Sequence, residues 1–201
     1  MRIESLQERL AEYVSTTPDN AIQSEWALDE GIVGMRMWDA PLVGVARADD
    51  PLFSAIRDTD YILGDTFRLP GDWLPGAKSV ISIFYPHTEA TRKSNWANLD
   101  VPSGPWLHGR IEGHDFIHAT DRMVASWLEE EGFATCIPAL EPSLVITKRE
   151  PEDAIGRPMF VSSWSERHVA FTCGLGTFGL SAHLITKAGK SGRFGSIITT
   201  A

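Results

Sequence analysis

Ser79-Val80-Ile81-Ser82-Ile83-Phe84-Tyr85 is a run of β-branched and aromatic residues that stops at Pro86. Such a run predicts a strand, and its lack of a polar face predicts a central place in a sheet. Upstream, Pro41-Leu42-Val43-Gly44-Val45-Ala46 predicts a shorter strand. Asp50-Pro51 then reads as an N-cap followed by proline at the first helical position, opening a helix to about Thr59. Leu69-Pro70-Gly71-Asp72-Trp73-Leu74-Pro75-Gly76 reads as rigid loop. Downstream, residues 87–105 are polar and turn-rich and read as an excursion or lid.

A long helix is expected next. Phe116, Ala119, Met123, Trp127 and Phe133 mark its apolar side, with Ile117, Val124 and Leu128 beside them, and Gly132 at its C-terminal end. Thr135-Cys136-Ile137-Pro138 opens a short element. Residues 147–159 read as loop. Ser163 or Ser165 caps a helix to about Thr172, and Ser163 has Glu166 at capping-box spacing. Leu184-Ile185-Thr186 reads as a short strand, residues 187–192 as a turn, and Phe194-Gly195-Ser196-Ile197-Ile198-Thr199-Thr200 as the last strand. At the other end, Ile3, Leu6, Leu10, Tyr13 and Val14 recur at helical spacing as far as Thr16-Thr17-Pro18. Residues 19–36 fit no single pattern. Strands and helices alternate, so the fold class is α/β or mixed α+β.

Composition narrows the classes of function. The chain has 201 residues, 43% hydrophobic and 22% charged, the balance of a packed domain. Its formal net charge of -9 disfavours a nucleic-acid partner, which needs neutralising Lys and Arg. No run of 18 apolar residues is present, so no membrane span is expected. The N-terminus lacks the apolar core of a secretory signal, which makes the cytoplasm the expected compartment. Cys136 and Cys173 form neither a CxxC pair nor a disulfide framework. Seven Trp, at 26, 38, 73, 96, 106, 127 and 164, serve either as core packing or as walls for a planar ligand.

The stretch richest in chemistry is Cys173-Gly174-Leu175-Gly176-Thr177-Phe178-Gly179. Its glycines have G-x-G-x-x-G spacing, but a helix precedes it and no acidic residue follows it, so it is not a dinucleotide fingerprint. Two readings stay open: a tight turn with close backbone packing, or a loop for another cofactor. Arg110 has the planar fork suited to an anionic ligand. Glu166, Asp115 and Glu112 are acid–base candidates, with Tyr85 as a phenolic donor. His114 and His118 stand four apart on the long helix, but there is no HExxH pattern, and no metal site is assigned.

The C-terminal third resembles a known family. Phe160-Val161-Ser162-Ser163, Ser165-Glu166-Arg167, Ala170, the run Gly174–Gly179 and the closing Gly192-Arg193-Phe194-Gly195-Ser196-Ile197-Ile198-Thr199-Thr200 resemble the cobalamin-binding region of epoxyqueuosine reductases and their iron–sulfur relatives. The likeness is best over residues 156–200, diffuse from residue 78, and poor over the first 77. It implies a three-layer, nitroreductase-like core with a central mixed sheet. It divides the chain into a divergent helical and loop region, 1–77, packed on a cofactor-binding core, 78–201. It implies cobalamin bound base-off, with Ser162, Cys173, Gly174, Gly176, Thr177, Phe178, Gly179 and Arg110 as candidate cofactor-binding residues and Glu166 and Tyr85 as candidate catalytic ones.

Full members add two [4Fe-4S] clusters on eight cysteines after the last strand. Those cysteines are expected beyond Ala201, in a longer chain of which this is a fragment. An electron-donor protein is then an implied partner, beside a small-molecule or corrinoid ligand. Two departures stand out. Leu180-Ser181 replaces the family's usual Lys-Asn, and Ser162 stands where its catalytic aspartate would. They imply a divergent paralogue with another substrate or a role in corrinoid reactivation. The alternatives are an FMN-binding, nitroreductase-like oxidoreductase and a non-catalytic scaffold domain.

Overall fold

The computed structural model describes residues 3–59, 62–148, 150 and 160–201. The predicted strand is the centre of the molecule: β2 (Ser79–Pro86) is buried from Val80 to Pro86. It lies between β1 (Leu42–Arg47) and β8 (Gly192–Thr199), and β3 (Thr135–Cys136) adds to the far side of β8. Along β2 and β8 the pairs Val80–Ile198, Ser82–Ser196 and Phe84–Phe194 share one face. Ile81–Ile197, Ile83–Gly195 and Tyr85–Arg193 share the other, because side chains alternate along a strand.

Each face has its own cover. α1 (Ile3–Thr16) buries Leu6, Leu10 and Val14, one stripe at helical spacing. With Ile117, Val124 and Leu128 of α6 (Glu112–Glu130) it packs on Ile81, Ile83, Tyr85 and Ile197. The opposite face carries α2 (Pro51–Arg57) and α7 (Glu166–Thr172), whose Phe53, Ile56 and Val169 pack with Val80 and Ile198. The result is a three-layer mixed α/β chain. β1 lies within the first 77 residues, so that segment supplies a strand of the same sheet.

The direction of the strands differs from expectation. Every described pairing in the central sheet is antiparallel, not mixed. The connection explains it. The excursion between β1 and β2 leaves and returns at one end of the sheet, where the Ala48 N–H donates to the Lys78 carbonyl. It holds α2, capped by Asp50 as expected, and the short α3 (Pro70–Trp73) where rigid loop was predicted.

Residues 87–105 are also more regular than predicted. Thr88 caps α4 (Glu89–Trp96) and Ser103 caps α5 (Gly104–Arg110). Their polar composition reads as loop because these helices bury little apolar surface. The expected long helix is α6, and a corner at Ile111, whose N–H is shared between the Leu107 and His108 carbonyls, separates it from α5. Gly109 lets the corner approach the sheet: a Cβ there would lie 2.5 Å from Cε1 of His87. Beyond α6, Gly132 has φ +88°, as a helix-ending glycine should.

β4 (Ile146–Lys148) pairs with β5 (Phe160–Ser162), so the expected loop begins as a strand; residues 149 and 151–159 lie outside the described residues. The N-cap of α7 is Ser165, not Ser163, whose hydroxyl accepts instead from the Val145 N–H. β6 (Gly176–Phe178) and β7 (Leu184–Thr186) form a separate hairpin. Among the described residues no helix is long and apolar enough to cross a membrane.

Candidate functional site

A cavity of about 620 Å³ opens where β2 ends and β8 begins. Its walls are Arg92 and Trp96 of α4, Trp106 and Arg110 of α5, Glu166 and Arg167 of α7, and the run from Lys190 to Phe194, with His114 of α6 and His183 and Leu184 of the hairpin beside them. His87, at the end of β2, also lines it. That ring is clamped between two indoles, Trp38 at 4.4 Å and Trp106 at 4.6 Å between centroids. Burial, then the nearby Arg193 charge, pushes its pKa down to about 4, so the imidazole is neutral at pH 7.

Glu166 starts α7, and its two carboxylate oxygens are shut off from solvent without a hydrogen-bond partner. Burial raises its pKa to about 7, opposed by the neighbouring Ser196 hydroxyl. A carboxyl so placed exchanges its proton near neutral pH, which suits a general acid or base. Ser196 is fixed in turn: it accepts a 2.9 Å bond from Nε1 of Trp164. That indole stacks on Phe67 at 5.5 Å and Phe53 at 6.4 Å.

A second buried carboxyl lies on the other face of β8. The Asp121 side chain accepts a 3.1 Å bond from the Tyr85 hydroxyl at Oδ1, and its Oδ2 has no partner. Gly195 makes the room, since a Cβ there would lie 2.2 Å from Oδ2. Burial, then the Glu166 charge, holds the Asp121 pKa well above the carboxylate range. Burial, then Asp121, does the same to the Tyr85 phenol. Two carboxyls thus flank one strand, and the Glu166 charge adds to the burial that keeps Asp121 protonated.

Of the candidate residues, Arg110, His114 and Glu166 come together in the cavity wall. Tyr85 does not line it; its ring is fully buried against Trp38 and its hydroxyl is bound to Asp121. Ser162 donates to the Trp164 carbonyl. Cys173 to Gly179 form the exit from α7 and the first strand of the hairpin rather than the cavity lining. Gly174 has φ +75° and donates to the Phe171 carbonyl, closing the helix. Gly176 meets β7 so closely that a Cβ would sit 2.2 Å from the Ile185 carbonyl oxygen. Phe178 packs on His168 and Phe171, and Thr177 is exposed beside it.

The Cys173 thiol donates to the Val80 carbonyl at 3.4 Å, and burial pushes its pKa up to about 12. Glu112 is paired with His108 at 2.9 Å, and Asp115 lies on the exposed side of α6. The His114 and His118 rings are 4.3 Å apart, and among the described residues no group of three or more His, Cys, Asp or Glu could hold a metal ion. Asp121 was not among the sequence candidates. Its signal was an acid inside the apolar stripe Ile117, Val124, Leu128.

Neither the protein-family models nor the curated proteins give a match to this chain. Among solved structures it is similar to an epoxyqueuosine reductase with a tRNA-Tyr epoxyqueuosine-modified stem loop and to a selenomethionine-labelled epoxyqueuosine reductase. Each match has 16% identity and a TM-score of 0.49. A third, epoxyqueuosine reductase from Bacillus subtilis with its catalytic loop swung out of the active site, has 15% identity and a TM-score of 0.44. The matches cover 99% of this chain and 46% of each of those chains, so it spans less than half their length.

Proposed function

We propose that this chain is the cofactor-binding domain of an oxidoreductase, holding a large conjugated cofactor in the cavity beside Glu166. One observation carries the reading: Glu166, whose shielded carboxyl has its pKa raised to about 7, lines a cavity walled by Trp96, Trp106 and Phe194. Reduction of a bound substrate consumes protons as well as electrons, and Glu166 is a proton source in the right place. The volume lies within the roughly 300–1,000 Å³ typical of cofactor sites.

A corrinoid is the first candidate, on the resemblance of residues 156–200. The residues fit it in part. Trp106 and Phe194 offer flat apolar surface to a macrocycle, while the cationic wall suits its phosphodiester. FMN is the second, favoured by a cavity sized for a flavin ring with its phosphate. Either group supplies the electron transfer; the chain binds it, excludes water at Glu166 and delivers a proton from that carboxyl. Iron–sulfur clusters do not fit the described residues, because both thiols are buried and no third cysteine exists.

The test is retention of colour. Purified protein is mixed separately with hydroxocobalamin and with FMN, aerobically and under reducing conditions, then desalted. A retained visible spectrum, at one cofactor per chain, is expected from one of the two. If neither is kept under any condition, the reading fails and the scaffold alternative takes its place.

A further inference from the structure

The cavity wall is cationic in a chain whose net charge is -9. Arg92, Arg110, Arg167, Lys190 and Arg193 line it, against one carboxyl, Glu166. None of the five is ion-paired among the described residues; the ion pairs there belong to Arg47, Arg57, Lys93 and His108. Arg92 and Arg167 are partly committed, donating to the His87 and Ala182 carbonyls. The side chains of Arg110, Lys190 and Arg193 make no hydrogen bond among the described residues. Beside them, the Ser191 hydroxyl is buried in the same wall without a partner.

Each of these features costs free energy unless something answers it. Arg193 is half-buried, and both burial and the Arg110 charge disfavour its own charge. A buried hydroxyl without a partner has lost its water and gained no bond in exchange. Clustered guanidinium groups with a free hydroxyl are the donor set that a tetrahedral oxyanion requires, since arginine forks match its oxygens in pairs. Trp106 stands in the same cavity, so a flat group attached to that anion has a surface to lie on.

We propose that this wall is a phosphoester subsite, in which Arg110, Arg193 and Lys190 clamp a phosphate and the Ser191 hydroxyl donates to it. The proposal deepens the cofactor reading of the cavity, but its phosphate arm stands without it. The phosphate belongs either to the cofactor itself or to a phosphorylated substrate, and the two sources separate experimentally.

Pyrophosphate and inorganic phosphate are titrated into the full chain at constant ionic strength, followed by calorimetry and tryptophan emission, with chloride as the control. Saturable binding is expected. Arg193→Gln and Arg110→Gln should each weaken it at least tenfold, and circular dichroism checks their folding. Arg110 is at an exposed helix end, so its variant remains informative if Arg193→Gln does not fold. In a second arm, FMN is compared with riboflavin, and cobinamide phosphate with cobinamide; riboflavin and cobinamide lack the phosphate. Tighter binding of the phosphorylated member by tenfold or more assigns the subsite to the cofactor.

Pyrophosphate binding with no ring cofactor retained keeps the subsite, assigns it to a substrate and removes the cofactor reading. A ring cofactor held equally with and without its phosphate, with pyrophosphate still bound, assigns the subsite to a substrate; pyrophosphate binding no better than chloride, or unaffected by both substitutions, overturns it.

Discussion

Glu166 is the residue on which the proposed function rests, and its environment has a measurable signature. Its folded pKa, about 7, lies above the ordinary value of 4.5, so the folded state holds a proton that the unfolded state releases. The stability this proton confers is complete below about pH 4.5 and is lost as the pH rises through 7. The span corresponds to about 3 kcal/mol. Glu166→Gln keeps the shape and removes the titration. It should therefore melt well above the parent at pH 8 and close to it at pH 4.5, a difference read from thermal unfolding across that range. An equal shift at both ends would mean that the carboxyl is not buried as described. The same substitution should abolish any proton-coupled turnover, since glutamine cannot donate a proton in its place.

At the scale of elements, the contact between β8 and α6 depends on one missing methyl group. Gly195→Ala pushes a Cβ into the Asp121 carboxyl, which has nowhere to move because Tyr85 and the helix hold it. Overpacking of this kind costs about 1–3 kcal/mol. In an Asp121→Ala background the obstacle is gone, and Gly195→Ala should cost at least 1 kcal/mol less, a coupling that a double-mutant cycle by denaturant unfolding measures. Additivity would place the two groups apart.

How far these elements were legible in the sequence depended on how each one is stabilised. Strand 79–86 was plain because burial on both faces leaves no polar position to blur it. Helices 89–96 and 104–110 were missed because their stability comes from the caps Thr88 and Ser103 and from docking, not from an apolar stripe. The direction of the sheet was not legible either, since nothing local says at which end an excursion returns. In the glycine run, spacing was visible but partner was not: Gly176 answers to Ile185, nine residues on, and only pairing reveals it. Arg110 and Glu166 came into the same wall although 56 residues separate them, a proximity that no motif carries.

Over the whole molecule, both cysteines sit in the same core, the one formed by Phe53, Val80, Val169 and Ile198. Cys136 and Cys173 are 8% and 6% exposed, and burial pushes their thiol pKa values up to about 11 and 12. Native protein should show no thiol reactive toward an aromatic disulfide reagent at pH 8 within minutes, and both should react in denaturant. Rapid native labelling of either would contradict the layered packing.

β8 has a double allegiance. Its first three residues, Gly192, Arg193 and Phe194, line the cavity, and its last, Ile197 to Thr199, lie in the buried sheet between the layers. One rigid strand therefore joins the ligand to the core without a hinge. Occupancy of the cavity and cooperativity of the fold then become a single thermodynamic quantity: a ligand at one hundred times its dissociation constant adds about 2.7 kcal/mol to the whole domain, not to a loop.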